Sequence, residues 1–276
     1  MSVSIVTDSA ASIPPDLAAR HDVTVVPLSL TLGGISYHDG DLSLAELLSR
    51  LGEGVTTSAP SPGEVGKAIE ERVSDDGVLV LTIAGTMSGT FHAAHVASLL
   101  VDGPVRVVDT ETAAGAEGLV VLAAAVRASE GATLDEVEAT AVHTRERVRL
   151  VATVDSLDQL VRSGRVPGIA GRAGRSLGLN PLFEFRRGHP RPLRPALSRQ
   201  AALDRMVTAL LNSRVPGAHL HLAALHAGAV EPAERLLEQV RAEVEPATAF
   251  LGSFSPVMVV HTGPGLVGLA WWWDAR

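Results

Sequence analysis

Val78-Leu-Val-Leu-Thr-Ile83-Ala-Gly85-Thr86-Met-Ser88-Gly-Thr90 is the stretch on which the fold turns. Its first six residues form a continuous, mostly apolar run, as expected of a strand covered on both faces. Gly85 to Gly89 is turn chemistry, and a helix follows as far as Leu100. The same strand, turn and helix recur on either side. Ser4-Ile-Val-Thr7 leads through Asp8-Ser9 to a helix opened by Pro14-Pro15, and Val105-Arg-Val-Val108 leads to a helix from Gly115. Such alternation predicts a parallel sheet covered by helices.

The rest of the chain fills in around this unit. Val23 to Thr31 reads as one strand, and Gly33-Gly34 as a hairpin turn into Ile35-Ser-Tyr-His38. Ser43 is the expected cap of an amphipathic helix from Leu44 to Leu51. A second half opens after the helix Leu134 to Arg147, with Arg149 to Val154 as its first strand. A short helix from Leu157 to Arg162, a Gly- and Arg-rich connection to Pro181 and a proline-interrupted edge hairpin from Leu182 to Leu197 follow. The helix Gln200 to Leu211, the strand His219 to Leu225, the helix Pro232 to Val244 and a closing hairpin at Gly263 to Gly265 complete it. In that hairpin Val257 to Val260 is read as a strand. The expected fold is α/β with two domains, 1–148 and 149–276, each a sheet covered by helices; 276 residues are many for one core.

Composition narrows the function. A net charge of -8, with three Trp, one Tyr and five Phe, argues against a nucleic-acid binder, which needs a concentrated basic face and stacking platforms. The chain contains no cysteine, so disulfides, thiolate metal sites and a cysteine nucleophile are excluded. The N-terminus lacks the charge and apolar core of a signal peptide, and the most apolar window, Gly118 to Val126, is too short to span a bilayer. A cytoplasmic protein without an integral membrane segment is expected.

Three hydroxyl-rich segments stand far apart: Thr56-Thr57-Ser58, Gly85 to Thr90, and His261-Thr262-Gly-Pro-Gly265. Short hydroxyls donate hydrogen bonds well but are weak nucleophiles without a base, so together they suit holding an oxygen-rich ligand. Each also has a bland explanation. Ser88 can be an ordinary helix cap, Thr57 and Ser58 can cap the helix opening near Pro62, and His261 can be structural. Gly263-Pro-Gly265-Leu-Val-Gly268 matches G-x-G-x-x-G, but too little chain follows to open the required helix, and the match is rejected. Gly85-Thr-Met-Ser88-Gly89 places its serine one position late for a nucleophile elbow. His219 and His221, with His226, lack the spacing of a metal site, so no metal is expected. Trp271 to Trp273 read as packing.

Taken in order, the segments resemble the DegV family of bacterial fatty-acid-binding proteins, whose better-known members are the lipid-carrying subunits of fatty acid kinase. The resemblance rests on Thr7-Asp-Ser9, Val26-Pro27-Leu28 with Asp39-Gly40, Thr57-Ser58 with Pro60-Ser61-Pro62, and Ser88-Gly-Thr90. It continues through Val108-Asp109-Thr110, Leu157-x-x-Leu160 with Gly164-Arg165, and His261-Thr-Gly-Pro-Gly265. It implies two α/β domains with one long-chain fatty acid between them. The implied ligand-binding residues are Thr57, Ser58, Ser88, Gly89, Thr90, His261 and Thr262, with Thr57 and Ser88 as carboxylate donors. It implies a non-catalytic protein with no cofactor besides the bound fatty acid. That protein presents the lipid to a separate ATP-dependent kinase for acyl phosphate formation, with Arg165 as a candidate for docking the kinase. The chain departs from the family's pattern at Ser163 and Asn180, and it carries Leu197 where an arginine is common, leaving Arg194 or Arg199 as candidate replacements. The alternatives are a serine hydrolase using Ser88 and His261, or a lipid sensor without a kinase partner.

Overall fold

The structure, a computed structural model, describes residues 2–50, 53–165 and 179–275. β1 (Ser4–Asp8) passes through a single 3-10 turn into α1 (Pro15–Arg20), which opens on a proline whose missing amide is no loss at a first helical position. β2 (Val23–Val26) then pairs in parallel with β1. The single strand expected from Val23 to Thr31 is in fact two. Pro27 has no amide to donate, so the ladder stops there, and β3 (Ser29–Leu32) leaves for a separate antiparallel sheet with β4 (Ile35–His38) and β5 (Val55–Ser58). Gly33 and Gly34, at φ 58° and 82°, make the expected hairpin turn.

Two capping boxes start the next helices. Ser43 and Glu46 close one on α2 (Leu44–Arg50), and Ser61 and Glu64 close the other on α3 (Pro62–Glu70). Ser61 therefore does the capping that Thr57 or Ser58 could have done. Those two residues belong to β5 instead.

The first main sheet runs β2-β1-β6-β7 and is wholly parallel, with β6 (Val78–Thr82) and β7 (Val105–Asp109) as predicted. Every residue of β6 is buried, which is why it reads as an unbroken apolar run. Val78 and Val80 pack towards α3 and α4 (Thr90–Ser98), while Leu79 and Leu81 face the opposite core with α5 (Ala114–Ser129). α5 is the axle of the molecule. A Cβ on its Gly115 would stand 2.5 Å from Leu225, and one on Gly118 2.7 Å from the Ala11 carbonyl, so small residues let it touch both halves. α6 (Leu134–Arg147) ends the first half.

The second main sheet has the order β10-β9-β8-β13-β11-β12. It comprises β8 (Arg149–Thr153), β9 (Leu182–Arg186), β10 (His189–Pro192), β11 (His219–His226), β12 (Thr248–Ser253) and β13 (Val267–Asp274). Only β11 and β12 pair in parallel. β10, with its prolines, lies at an edge as expected. α7 (Asp158–Ser163), α8 (Arg199–Leu211) and α9 (Val230–Glu243) cover the sheet and its approach. The Gly- and Arg-rich connection lies largely outside the described residues, as does Leu51.

The chief departure is α10 (Pro256–Thr262), which occupies the place of the strand expected at Val257 to Val260. Ser255 caps it by accepting from the Met258 amide, and Pro256 sits at its first position. That start signal, together with burial of Pro256 to Val260, outweighs the β-preference of three valines. His261 therefore lies in the last turn of a helix and not at a strand end. Gly263 and Gly265, at φ 74° and 85°, turn the chain into β13, so the glycine motif opens a strand and no helix. His221 stacks on Trp272, with ring centroids 4.7 Å apart, and Trp271 and Trp273 both donate to Ser213 Oγ. Among the described residues no helix is long and apolar enough to cross a membrane.

Candidate ligand-binding site

A cavity of about 410 Å³ opens where β5, the loop after β6, and α10 meet. Such a volume is in the range of small-molecule pockets, roughly 300–1,000 Å³. Thr57 and Ser58 reach it from the end of β5, Thr86, Ser88 and Gly89 from the loop, and His261 and Thr262 from α10. The three hydroxyl segments, distant in sequence, thus line one space. Thr90 stands just behind: it is buried, and its hydroxyl lies 2.8 Å from Ser88 Oγ. The remaining wall is mostly apolar, from Leu28, Ile83, Met87, Leu160, Val257 and Met258, with Arg165 as its charged member among the described residues.

Polar side chains, most of them half-buried, hold these elements in place. Asp39 accepts from the Ser9 hydroxyl at 2.7 Å and from the Val257 amide at 3.2 Å, binding the N-terminus of α10 to the first half. Burial pushes its pKa up, and hydrogen bonds from Ser255, Ser9 and Val257 oppose that rise. Gln159 Nε2 donates to the Val260 carbonyl at 2.7 Å and ties α7 to the same helix. Asp109 accepts from the Gly85 and Glu111 amides at 3.0 and 2.7 Å, fixing the start of the loop after β6. The Thr86 hydroxyl donates to the Gly188 carbonyl at 2.6 Å, joining that loop to the β9–β10 turn.

His261 Nε2 lies 2.7 Å from Thr57 Oγ1, a hydrogen bond across 204 residues of chain. Burial, reinforced by the positive charge of Arg165, holds the imidazole pKa down at about 4. The ring is therefore neutral at physiological pH, and its tautomer decides which partner donates. Ser88, by contrast, bonds to Thr90 and not to His261 among the described contacts. α4 begins at Gly89 without a side-chain cap, unlike α3 with its complete box.

A second cavity, of about 710 Å³, adjoins the first and shares Thr57, His261 and Arg165 with it. These three residues form the partition between the two spaces. Arg165, expected to face a partner protein, is part of the cavity wall. Neither replacement considered for the arginine missing at Leu197 reaches that wall. Arg199 is tied to Asp155 and to the Gly265 carbonyl, the Arg194 carbonyl accepts from Arg205, and Leu197 itself is 84% exposed. The sequence assigns neither Thr86 nor the apolar wall to the site, although Thr86, Leu28, Met87 and Leu160 all lie within motifs singled out above. Among the described residues no cluster of His, Asp and Glu suited to a metal ion occurs.

The sequence profile described as "Uncharacterised protein, DegV family" matches residues 2–273. A DegV domain-containing protein of Streptomyces coelicolor is 34% identical over 275 residues, covering 97% of each chain. Among solved structures, a DegV family protein from Thermus thermophilus, described as binding fatty acid, superposes with a TM-score of 0.92 at 30% identity, covering 99% of this chain and 100% of its own. A DegV lipid-binding protein from Thermotoga maritima gives a TM-score of 0.88 at 28% identity over 100% of both chains. DegV of Bacillus subtilis, described as a fatty-acid-binding protein, gives 0.87 at 26% identity, over 99% of this chain and 100% of its own. With a profile match over nearly its whole length and a two-domain α/β fold in common with these structures, the chain belongs to the DegV family.

Proposed function

We propose that this chain binds one long-chain fatty acid between its two halves and hands the carboxylate to a separate ATP-dependent kinase, which makes the acyl phosphate. The observation that carries this reading is the convergence of three distant hydroxyl segments on a cavity whose other wall is mostly apolar. Thr57 and Ser88 are the carboxylate donors, with Ser58, Gly89, Thr90, His261 and Thr262 completing the polar end. The acyl chain lies against Leu28, Met87, Leu160 and Met258. The two binding domains divide at residues 148 and 149, and the protein works in the cytoplasm, where ATP is available. Fatty-acid binding described for the relatives from Thermus thermophilus and Bacillus subtilis supports the same ligand class.

Magnitudes divide the labour. Burying a sixteen-carbon tail contributes roughly 11 kcal/mol gross, at about 0.8 kcal/mol per methylene. Much of that offsets the roughly 4–15 kcal/mol cost of association. The hydroxyls add about 1.5–3 kcal/mol per charge-assisted bond and fix which end of the lipid faces out.

Two features weigh against Ser88 as a hydrolytic nucleophile. Its hydroxyl is engaged with Thr90, and the only nearby histidine, held at about 4, is roughly three units too weak a base at neutral pH. The protein is therefore a carrier, and phosphoryl transfer belongs to its partner.

Mass spectrometry of lipid released from the purified protein by denaturation tests the binding half. Recovery of one long-chain fatty acid per chain is expected; no recovered lipid, and none bound on addition of palmitate, overturns the reading. Supplying a fatty acid kinase subunit and ATP should then yield acyl phosphate. Lipid binding without that product identifies a sensor instead.

A further inference from the structure

Behind Ser88 the packing leaves a second, much smaller space between the parallel sheet and helices α3 and α4. Its wall is apolar where Val6, Val65 and Val80 meet, and polar where Asp8, Thr82 and Thr90 do. The space open to the centre of a water molecule is about 10 Å³, enough for one, and a single water needs two to four polar partners to settle in such a place.

The pleat of the sheet delivers those partners. Side chains alternate along each strand, so Thr82 follows Val78 and Val80 to the face covered by α3 and α4, as Asp8 follows Val6 on β1. Thr82 is 1% exposed, and its hydroxyl has no hydrogen-bond partner among the described residues, which include every residue of this wall. Its backbone is satisfied, since the Thr82 carbonyl accepts from both the amide and the hydroxyl of Thr110. Only the side chain is left over, and a buried hydroxyl in that position is costly unless water bridges it. Asp8 is equally buried. Each of its oxygens takes one amide, from Ala10 and Ile83, and so keeps capacity for a further donor. Thr90 is the link to the ligand-binding cavity: its hydroxyl lies 2.8 Å from Ser88 Oγ, and its amide donates to that same oxygen at 3.4 Å.

We propose that Asp8, Thr82 and Thr90 bind one internal water, and that this water orients Ser88 through Thr90 so that the Ser88 hydroxyl donates into the 410 Å³ cavity. The water site stands on the packing; the orienting role rests on the fatty-acid reading above. Counting hydrogens gives the direction. An ionised Asp8 takes one hydrogen from the water. Thr82 has no other acceptor among the described residues, so its hydroxyl donates to the water, and the water's second hydrogen goes to Thr90. Thr90 then gives its own hydrogen to Ser88, and the Ser88 hydrogen is left for a ligand oxygen. Thr82 and Thr90 are thus positioning residues that act on the ligand through Ser88.

The test uses delipidated full-length protein and two substitutions of one residue. Thr82→Val keeps the branched shape and removes the hydroxyl, whereas Thr82→Ser keeps the hydroxyl. A high-resolution crystal structure is expected to show a water within hydrogen-bond distance of Thr82 Oγ1, Thr90 Oγ1 and an Asp8 oxygen, and to lose it in Thr82→Val. A dry cavity in the wild-type protein overturns the proposal outright. Palmitate titrated at pH 8, above the Asp8 pKa of about 7, should bind Thr82→Val about three- to tenfold more weakly than wild type, and Thr82→Ser within about twofold. In a Ser88→Ala background Thr82→Val should change affinity by less than about twofold, a coupling that a general loosening of the fold does not produce. Equal losses with and without Ser88, or undiminished palmitate affinity in Thr82→Val, overturn the orienting role while the fatty-acid reading stands. If wild-type protein binds no palmitate, that reading falls and takes the orienting role with it, and the crystal structure still decides the water site.

Discussion

β1 and β6 are neighbours in one parallel sheet, and each ends in a polar loop at its carboxyl end, where open α/β sheets place their ligands. The loop after β1 is closed by its own acids. Asp8 accepts from the Ala10 and Ile83 amides, both at 2.9 Å, while Ser9 accepts from the Leu28 amide at 3.0 Å and donates to Asp39. Burial holds Asp8 up at about 7, and burial followed by the nearby Asp8 charge pushes Glu117 well above its usual range. The loop after β6 has no acid of its own; Asp8 holds the Ile83 amide at its start and Asp109 the Gly85 amide. It offers Thr86, Ser88 and an uncapped helix start to an open cavity. The same architecture is thus used twice, once sealed by internal carboxylates and once left open, at the end assigned to the proposed ligand's carboxylate. A ligand anion at the β1 end would meet Asp8, Asp39 and Glu117; at the β6 end it meets hydroxyls and Arg165.

Removing the acid that seals the first loop is the severest way to break this contrast. Asp8→Ala leaves two buried amides without an acceptor, at about 1–3 kcal/mol each, so a stability loss of about 3–5 kcal/mol is expected from urea unfolding at pH 6. Asp8→Asn retains one acceptor oxygen and should recover part of it. At the other loop the loss should fall on the ligand. Thr57→Val and Ser88→Ala are each expected to weaken palmitate binding by about 1.5–3 kcal/mol; Ser88→Ala should leave the urea midpoint of the lipid-free protein nearly unchanged, whereas Thr57→Val also breaks the bond to His261 and should cost about 1 kcal/mol of stability. A stability loss at Ser88 as large as that at Asp8 would erase the distinction between the loops.

The two loops also differ in how far their sequences disclose them. Strands β1, β6 and β7 are legible because burial on both faces leaves a continuous apolar run, and the hydroxyls of Thr57, Ser88 and Thr262 stand out against it. The division at Pro27 was less visible, since Val23 to Thr31 keeps one β-rich texture while its two parts join different sheets. α10 reads as a strand because three of the four residues from Val257 to Val260 are β-branched, although Ser255-Pro256 carries the helix start that prevails. β12 leaves little signal because only Ala249, Phe250 and Leu251 of its six residues are apolar. The apolar wall is not legible as a wall, although Leu28, Met87 and Leu160 each lie in a quoted motif. Leu28, Met87, Leu160 and Met258 share no spacing, and only the packing of α7 and α10 against the first half brings them together.

A smaller effect separates the cavity's histidine from the sealed acids by the sign of its pH dependence. His261 is held at about 4 in the fold against an ordinary value near 6.5, so the unfolded chain takes up its proton first as pH falls. Its contribution is complete above pH 6.5 and is lost as pH drops through 4. Asp8, raised to about 7, acts in the opposite sense: stability present below its ordinary value is lost as pH rises through 7. Comparing wild type with His261→Gln cancels Asp8, which both proteins share. The difference in unfolding free energy should shift against the wild type by about 2 kcal/mol between pH 6.5 and 4 in denaturant titrations, after allowance for the ring's partial exposure. A flat difference would mean that the imidazole is not buried as described.

The finest division lies inside the β6 loop itself, between Thr86 and Ser88. Both side chains line the cavity, but the Thr86 hydroxyl is committed to the Gly188 carbonyl, whose own residue donates to the Glu111 carbonyl at 2.6 Å. Thr86 thus belongs to the tie between halves, and Ser88, bonded only within its own turn, is left for the proposed ligand. Thr86→Val keeps the shape and removes the hydroxyl, so it should cost about 1 kcal/mol of stability in urea unfolding. Palmitate affinity should change less than about twofold, against at least about tenfold for Ser88→Ala. If Thr86→Val lowers affinity as much as Ser88→Ala does, the carboxylate draws Thr86 away from Gly188, and binding must loosen the β9–β10 turn from the first half.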